Sequence, residues 1–154
     1  MNRPFLGRGW SFPPTFSPTP TGYGVLMQEE EADIASSLAI LLSTRPGERV
    51  MLPEFGCNLD ELVFETLDTT TKTLVADKIE SAILYYEPRI DLETAVIDES
   101  QVWEGLVLIT IVYRVRTTNS RFNFVFPFYK QEGTDVNRTV ELSDPTVTLL
   151  PDSL

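Results

Sequence analysis

Residues 106–129 constrain the fold more than any other part of this chain. Leu106 to Arg116 is rich in β-branched residues, and its odd positions Val107, Ile109, Ile111, Tyr113 and Val115 are all apolar. Its even positions turn polar at Thr110, Arg114 and Arg116. Thr117-Thr118-Asn119-Ser120 then reads as a hairpin turn. The strand beyond it alternates, with Phe122, Phe124, Phe126 and Phe128 on one face and Asn123, Val125, Pro127 and Tyr129 on the other. A period of two places each set on its own side of a sheet. Pro127 cannot donate to a ladder, so it marks an edge strand or the strand's end. A row of phenylalanines needs a cover, and two upstream helices are the elements able to supply it.

The first helix is expected over 29–43, where Ile34, Leu38, Leu41 and Leu42 recur at helical spacing. Glu29, Glu30, Glu31 and Asp33 sit in its first turns, where the helix dipole favours negative charge. Pro46-Gly47 stops it. Residues 47–56 form a loop with a short extended piece. A brief helix is expected at 59–65, with Asn58 as cap, Glu61 three residues on, and Leu59, Leu62 and Val63 facing the core. The cluster Asp68-Thr69-Thr70-Thr71 starts the second long helix, over about 70–86, whose apolar stripe is Val75, Ile79, Ala82, Ile83 and Tyr86. Leu92 to Asp98 is a further strand. The fold class is therefore α+β: a small single domain with two main helices on a mostly antiparallel sheet.

That second helix ends at Tyr85-Tyr86-Glu87-Pro88-Arg89. The residue before a proline is pushed out of the helical region, and proline itself cannot continue the helix. In an extended turn Glu87 and Arg89 project to one side. A carboxylate and a guanidinium held on a rigid knuckle suit docking better than catalysis. The competing reading is an internal brace, because arginine–carboxylate pairs also pin local structure.

Composition closes much of the space of enzymes. The 154 residues suffice for one domain with a core, and 42% hydrophobic content argues against global disorder. There is no histidine, which removes the usual proton shuttle and the commonest zinc ligand. A lone Cys57 excludes an internal disulfide and reads as a small packed side chain. No metal site or cofactor is expected. The net charge of -11 argues against nucleic acid as a partner. No apolar run is long enough to span a membrane, and the N-terminus lacks a signal peptide's apolar segment, so synthesis in the cytoplasm is expected.

A glycosidase built on two carboxylates is the remaining enzyme class, with Glu54, Asp60, Glu61 and Glu87 as candidates. Each has a simpler account as a cap, turn or surface charge. Gly7-Arg8-Gly9 and Gly22-Tyr23-Gly24 lack the helix and lysine that a phosphate loop requires.

Residues 1–24, rich in proline, glycine and aromatics, read as an extended, irregular arm. Trp10, Phe12 and Phe16 pack either on their own domain or on a neighbouring subunit. Residues 25–132 form the core domain and 133–154 a tail.

An ordered set of short motifs resembles a known family. Gly7-Arg8-Gly9-Trp10-Ser11-Phe12-Pro13 opens it. Thr44-Arg45-Pro46-Gly47-Glu48-Arg49-Val50 leads to Pro53-Glu54-Phe55-Gly56-Cys57. Glu87-Pro88-Arg89-Ile90, Thr118-Asn119 and Pro127-Phe128-Tyr129 follow. Together, from residue 5 to about 132, they are similar to the GPW-type baseplate wedge proteins of contractile tails, relatives of the TssE subunit of type VI secretion.

The resemblance implies a structural protein without catalysis, present in several copies in a six-fold baseplate next to the tube. It implies contacts with larger wedge proteins, sheath subunits and inner tube or spike proteins. It implies assembly in the bacterial cytoplasm and residence in the baseplate of the mature particle. It gives Glu87, Pro88 and Arg89 the contact with the helical bundle of the wedge proteins. Sheath growth would start by β-strand exchange on the 106–129 hairpin and the adjacent tail, with Arg114, Arg116, Asn119, Asn123, Pro127 and Tyr129 in the template strands. Some members of the family carry a lysozyme-like label, so a carboxylate-dependent peptidoglycan hydrolase is the alternative.

Overall fold

The helix-and-sheet layering expected from the sequence is present in the structure, a computed structural model that describes residues 6–59, 62 and 66–130. Of the short helix expected at 59–65, only Leu59 and Leu62 are described, and both are buried. The tail 133–154 lies outside the described residues.

The N-terminal arm is extended but paired. β1 (Arg8–Trp10) runs antiparallel to β4 (Met27–Glu29), and β2 (Phe16–Thr19) forms a hairpin with β3 (Gly22–Val25) between them. Proline in the two-residue turn Pro20-Thr21 fixes its backbone angle, and the Thr19 hydroxyl donates to the Gly22 carbonyl at 3.0 Å. The irregular course expected from the prolines and glycines is thus a nested pair of ribbons. Prolines are tolerated because each two-stranded ribbon is all edge.

α1 (Glu30–Ser43) and α2 (Thr69–Tyr86) bury the faces that the apolar spacing predicts. Asp68 caps α2 by accepting from the Thr71 amide at 2.7 Å. That bond holds the Asp68 carboxyl below its ordinary value. The cap therefore contributes above the unfolded value of 3.8, and its contribution is lost as pH falls towards the lower folded value.

β5 (Ile90–Asp98), β6 (Leu106–Val115) and β7 (Ser120–Tyr129) form one antiparallel sheet in that order. Its register carries a bulge between Leu92 and Thr94. Asn119, at φ 53°, closes the β6–β7 turn in the left-handed region that asparagine tolerates. All five odd positions of β6 are buried, as the alternation predicts. The four phenylalanines of β7 are half-buried against the same core. α2 lies against β5 and α1 against β7, so both helices cover one face of the sheet.

Ile109→Ala, at a fully buried position of the central strand, is expected to lose about 3 kcal/mol in urea denaturation. Val125→Ala, on the uncovered face, is expected to change stability by less than about 0.5 kcal/mol.

Candidate functional site

The end of α2 gathers three separate parts of the chain around one side chain. Glu87 caps the helix at φ -131°, ψ 69°, outside the helical region, with its amide still bonded to the Ile83 carbonyl. Arg89 then turns back on it. Nε of Arg89 donates to Glu87 Oε1 at 2.5 Å and Nη2 donates to Oε2 at 2.6 Å, a two-pronged pair. Nη1 donates to Asp33 Oδ2 of α1 at 2.6 Å and to the Leu6 carbonyl at 2.8 Å.

The Glu87 side chain is 2% exposed, and that of Arg89 is 27% exposed. The planar guanidinium fork matches both carboxylates without rearrangement. Hydrogen bonds to Glu87 raise the Arg89 pKa above its ordinary value against the opposing effect of burial, with Asp33 adding to them. Glu87 and Arg89 therefore face each other within the fold, while Pro88 and the neighbouring Tyr85 face solvent.

The brace reaches the N-terminal arm through glycines. Gly7 sits at φ +96°, and a Cβ there would stand 2.7 Å from Arg89 Nη1. A Cβ at Gly9 would collide with Asp33 Oδ1. The Gly7-Arg8-Gly9 motif thus lets the backbone pass close over the charged cluster. Arg8 pairs with Glu29 at 3.0 Å across the β1–β4 ribbon. Asp33, expected only to complement the helix dipole, is a direct partner of Arg89. Its role is not visible from spacing, since 56 residues separate the two.

The arm's aromatic side chains project outward. Trp10, Phe16 and Tyr23 are 61%, 63% and 84% exposed, whereas Leu6 is buried. Arg8 is the one charged residue between Leu6 and Gln28.

The remaining expected site residues divide by strand. Arg114 lies on β6, whose backbone pairs with strands on both sides, and Arg116 follows it. Arg116 bonds Asp91 at 2.7 Å, and Arg114 bonds Glu93 at 2.5 Å. Asn119 lies in the turn. Asn123, Pro127 and Tyr129 are on β7, whose far side pairs with no strand among the described residues. Sequence reading did not single out Glu93 or Arg121, which pair at 2.7 Å across the bulged end of the sheet.

Of the candidate catalytic acids, Glu87 is engaged at both oxygens, Glu54 lines an open groove beside Cys57 and α2, and Asp60 and Glu61 lie outside the described residues. Burial pushes the Cys57 thiol up to about 11, with Lys78 opposing, so little thiolate forms at neutral pH. Among the described residues no cluster of acidic or thiol side chains could hold a metal.

Residues 28–120 match the family model described as baseplate wedge protein gp25, more than half of the chain. The chain is 47% identical over 58 residues to the baseplate wedge protein gp25 of Enterobacteria phage T4, a match spanning 38% of this chain and 44% of that relative. A Geobacter sulfurreducens protein provisionally described as a tail lysozyme superposes with a TM-score of 0.65 at 44% identity, over 71% of this chain and 98% of its own. A chain of the anti-feeding prophage baseplate superposes with a TM-score of 0.57 at 26% identity, over 82% and 88% respectively.

Arg89→Met is expected to destabilise the domain by about 3–5 kcal/mol in denaturant titration, because Glu87 is left charged and buried without its partner. Limited proteolysis should then cut within residues 6–10 of the native variant, as the Leu6 anchor is lost. The pair change Glu87→Gln with Arg89→Met should cost less than the sum of the single changes.

Proposed function

The chain belongs to the family of baseplate wedge protein gp25, and from that premise we propose that it is a structural part of the baseplate of a contractile tail or injection particle. In this reading it joins the inner wedge to the sheath and starts sheath assembly by accepting a strand. The observation that carries the second half is the outer edge of β7, unpaired among the described residues, a row of backbone groups able to extend the sheet.

The Glu87-Pro88-Arg89 motif serves the wedge contact through its outer side. Its charges form the base, braced internally, and Pro88 with Tyr85 offers the exposed surface; Tyr85 is 77% exposed. The uncharged, aromatic β2–β3 hairpin favours the second of the two uses weighed for the arm, a contact with a neighbouring subunit. Large aromatic side chains outside any pocket of their own domain are the usual anchors of such contacts. Larger wedge proteins and sheath subunits are thus the partners of this reading, with tube or spike proteins alongside, and several copies sit in a six-fold baseplate. Assembly takes place in the bacterial cytoplasm.

Peptidoglycan hydrolysis is the competing reading, favoured by the description of the Geobacter sulfurreducens protein. It needs two carboxyl groups free to act across a sugar, and Glu87 is not free. Solubilisation of purified peptidoglycan by the protein, lost on substitution of its carboxylates, would favour the hydrolase.

In particles from a strain lacking the gene, electron microscopy is expected to show tubes or baseplates without sheath. The wild-type gene should restore sheaths. Val125→Pro, which removes an outward amide from β7, should restore baseplates only. Full sheaths on normal baseplates without the protein would refute the proposal. Tyr85→Asp is expected to leave the monomer folded by circular dichroism and to reduce capture of wedge proteins.

A further inference from the structure

The register of β7 decides which of its groups an added strand would meet. The Lys130 amide donates to the Gly105 carbonyl at 2.7 Å, and the β6–β7 register continues from that pair without a shift. In an antiparallel ladder, bonded and non-bonded pairs alternate. Even-numbered residues of β7 therefore bond to β6, and the odd-numbered ones direct their backbone groups to the side where no described strand pairs. Arg121, Asn123, Val125 and Tyr129 each present an N–H and a C=O there, whereas Pro127 presents a carbonyl alone. Proline is accommodated at this position because its nitrogen faces no partner. It also breaks the row of donors, leaving Arg121–Val125 as the continuous stretch.

The side chains along that edge carry a charge signature. Arg121 and Arg114 share the single carboxylate of Glu93, at 2.7 and 2.5 Å, so among the described residues one positive charge is left over. Arg121 is itself 66% exposed. This excess sits at one end of the open edge, in a chain of net charge -11. On the other side of the sheet, the half-buried phenylalanines continue to the edge and stay partly uncovered.

We infer that β7 selects an extended partner segment carrying a carboxylate opposite Arg121 and apolar side chains at the alternate positions that meet the phenylalanine row, paired along Arg121–Val125. This rests on the reading that β7 templates an added strand. Residues directly opposite share a face, so the carboxylate lies over Arg121 on the solvent side and the apolar groups extend the core. Pro127 limits the pairing and so guards the edge against indiscriminate extension.

The test uses the full chain and two fluorescent peptides as long as β7, alternating valine with threonine. They differ at one solvent-side position near one end, glutamate in one and lysine in the other. Anisotropy titration at low salt is expected to give about tenfold tighter binding of the glutamate peptide. Arg121→Glu should reverse the preference. Val125→Pro should remove binding of both peptides, with its folded state checked by circular dichroism. Asn123→Pro, interrupting the same stretch at a second place, should do the same.

Binding that both proline variants abolish but Arg121→Glu leaves without reversal would overturn the charge rule and keep the templating reading. Binding of neither peptide, or binding that the proline variants leave intact, would overturn both. Self-association of the wild-type chain that Val125→Pro abolishes would make a second copy the occupant and overturn the assignment to a partner segment.

Discussion

One guanidinium holds the fold's separate parts in a common frame. Arg89 contacts the end of α2 through Glu87, the start of α1 through Asp33 and the arm through the Leu6 carbonyl. Two carboxylates around one cation leave a net negative charge in a largely buried place. That arrangement is stable only because the short bonds of the fork replace the lost hydration. α1 also follows directly from β4, and the Glu30 amide donates to the Gly7 carbonyl at 3.3 Å, but Arg89 is what joins the end of α2 to both. Packing of apolar faces sets how deeply helices sit on a sheet, but it is less directional than a forked ion pair. The brace supplies the direction.

How much could be read in advance depended on the distance over which each constraint acts. The strands of residues 106–129 were legible because a two-residue period is a local signal, and β6 buries every odd position it named. Helix limits were legible from Asp68, Pro46-Gly47 and Pro88 for the same reason. The partners of Arg89 were not, since Leu6 is 83 residues away and Asp33 sits in a run of acids that the helix dipole already explains. In the arm, prolines and glycines suggested irregular chain, yet β1 pairs with β4 across an intervening hairpin. Turn residues report where a chain bends but not what it pairs with afterwards. The bulge at Glu93 had no sequence signal, and it is at the bulge that Glu93 bonds both Arg114 and Arg121.

Among the described residues the sheet is covered on one face and unpaired along the outer edge of β7, and these two facts have different physical weight. The uncovered face carries the ion pairs of Asp91 and Glu93, which are exposed enough for water to screen them. The edge is different. Backbone groups there are as strong in hydrogen bonding as those inside the ladder, and an added strand can pair with them. A protein that functions by joining others benefits from an edge of limited length, since an unlimited one invites aggregation. Pro127 and the charge at Arg121 supply such limits at opposite ends of β7.

The brace and the edge belong to one design because α1 links them. α1 carries Asp33 at its start and touches β7. The position of β7 relative to the arm is therefore fixed through α1 by the same charged cluster that closes α2. If the arm's aromatic hairpin meets one neighbour and β7 another, the angle between the two contacts is set inside this domain by Arg89 and not by a flexible joint. A buried cluster is suited to that purpose even where an apolar core would be as stable, because it tolerates few alternative geometries. The charges of Glu87 and Arg89 thus hold the fold in one shape, and Pro88 and Tyr85 lie exposed on the surface they support.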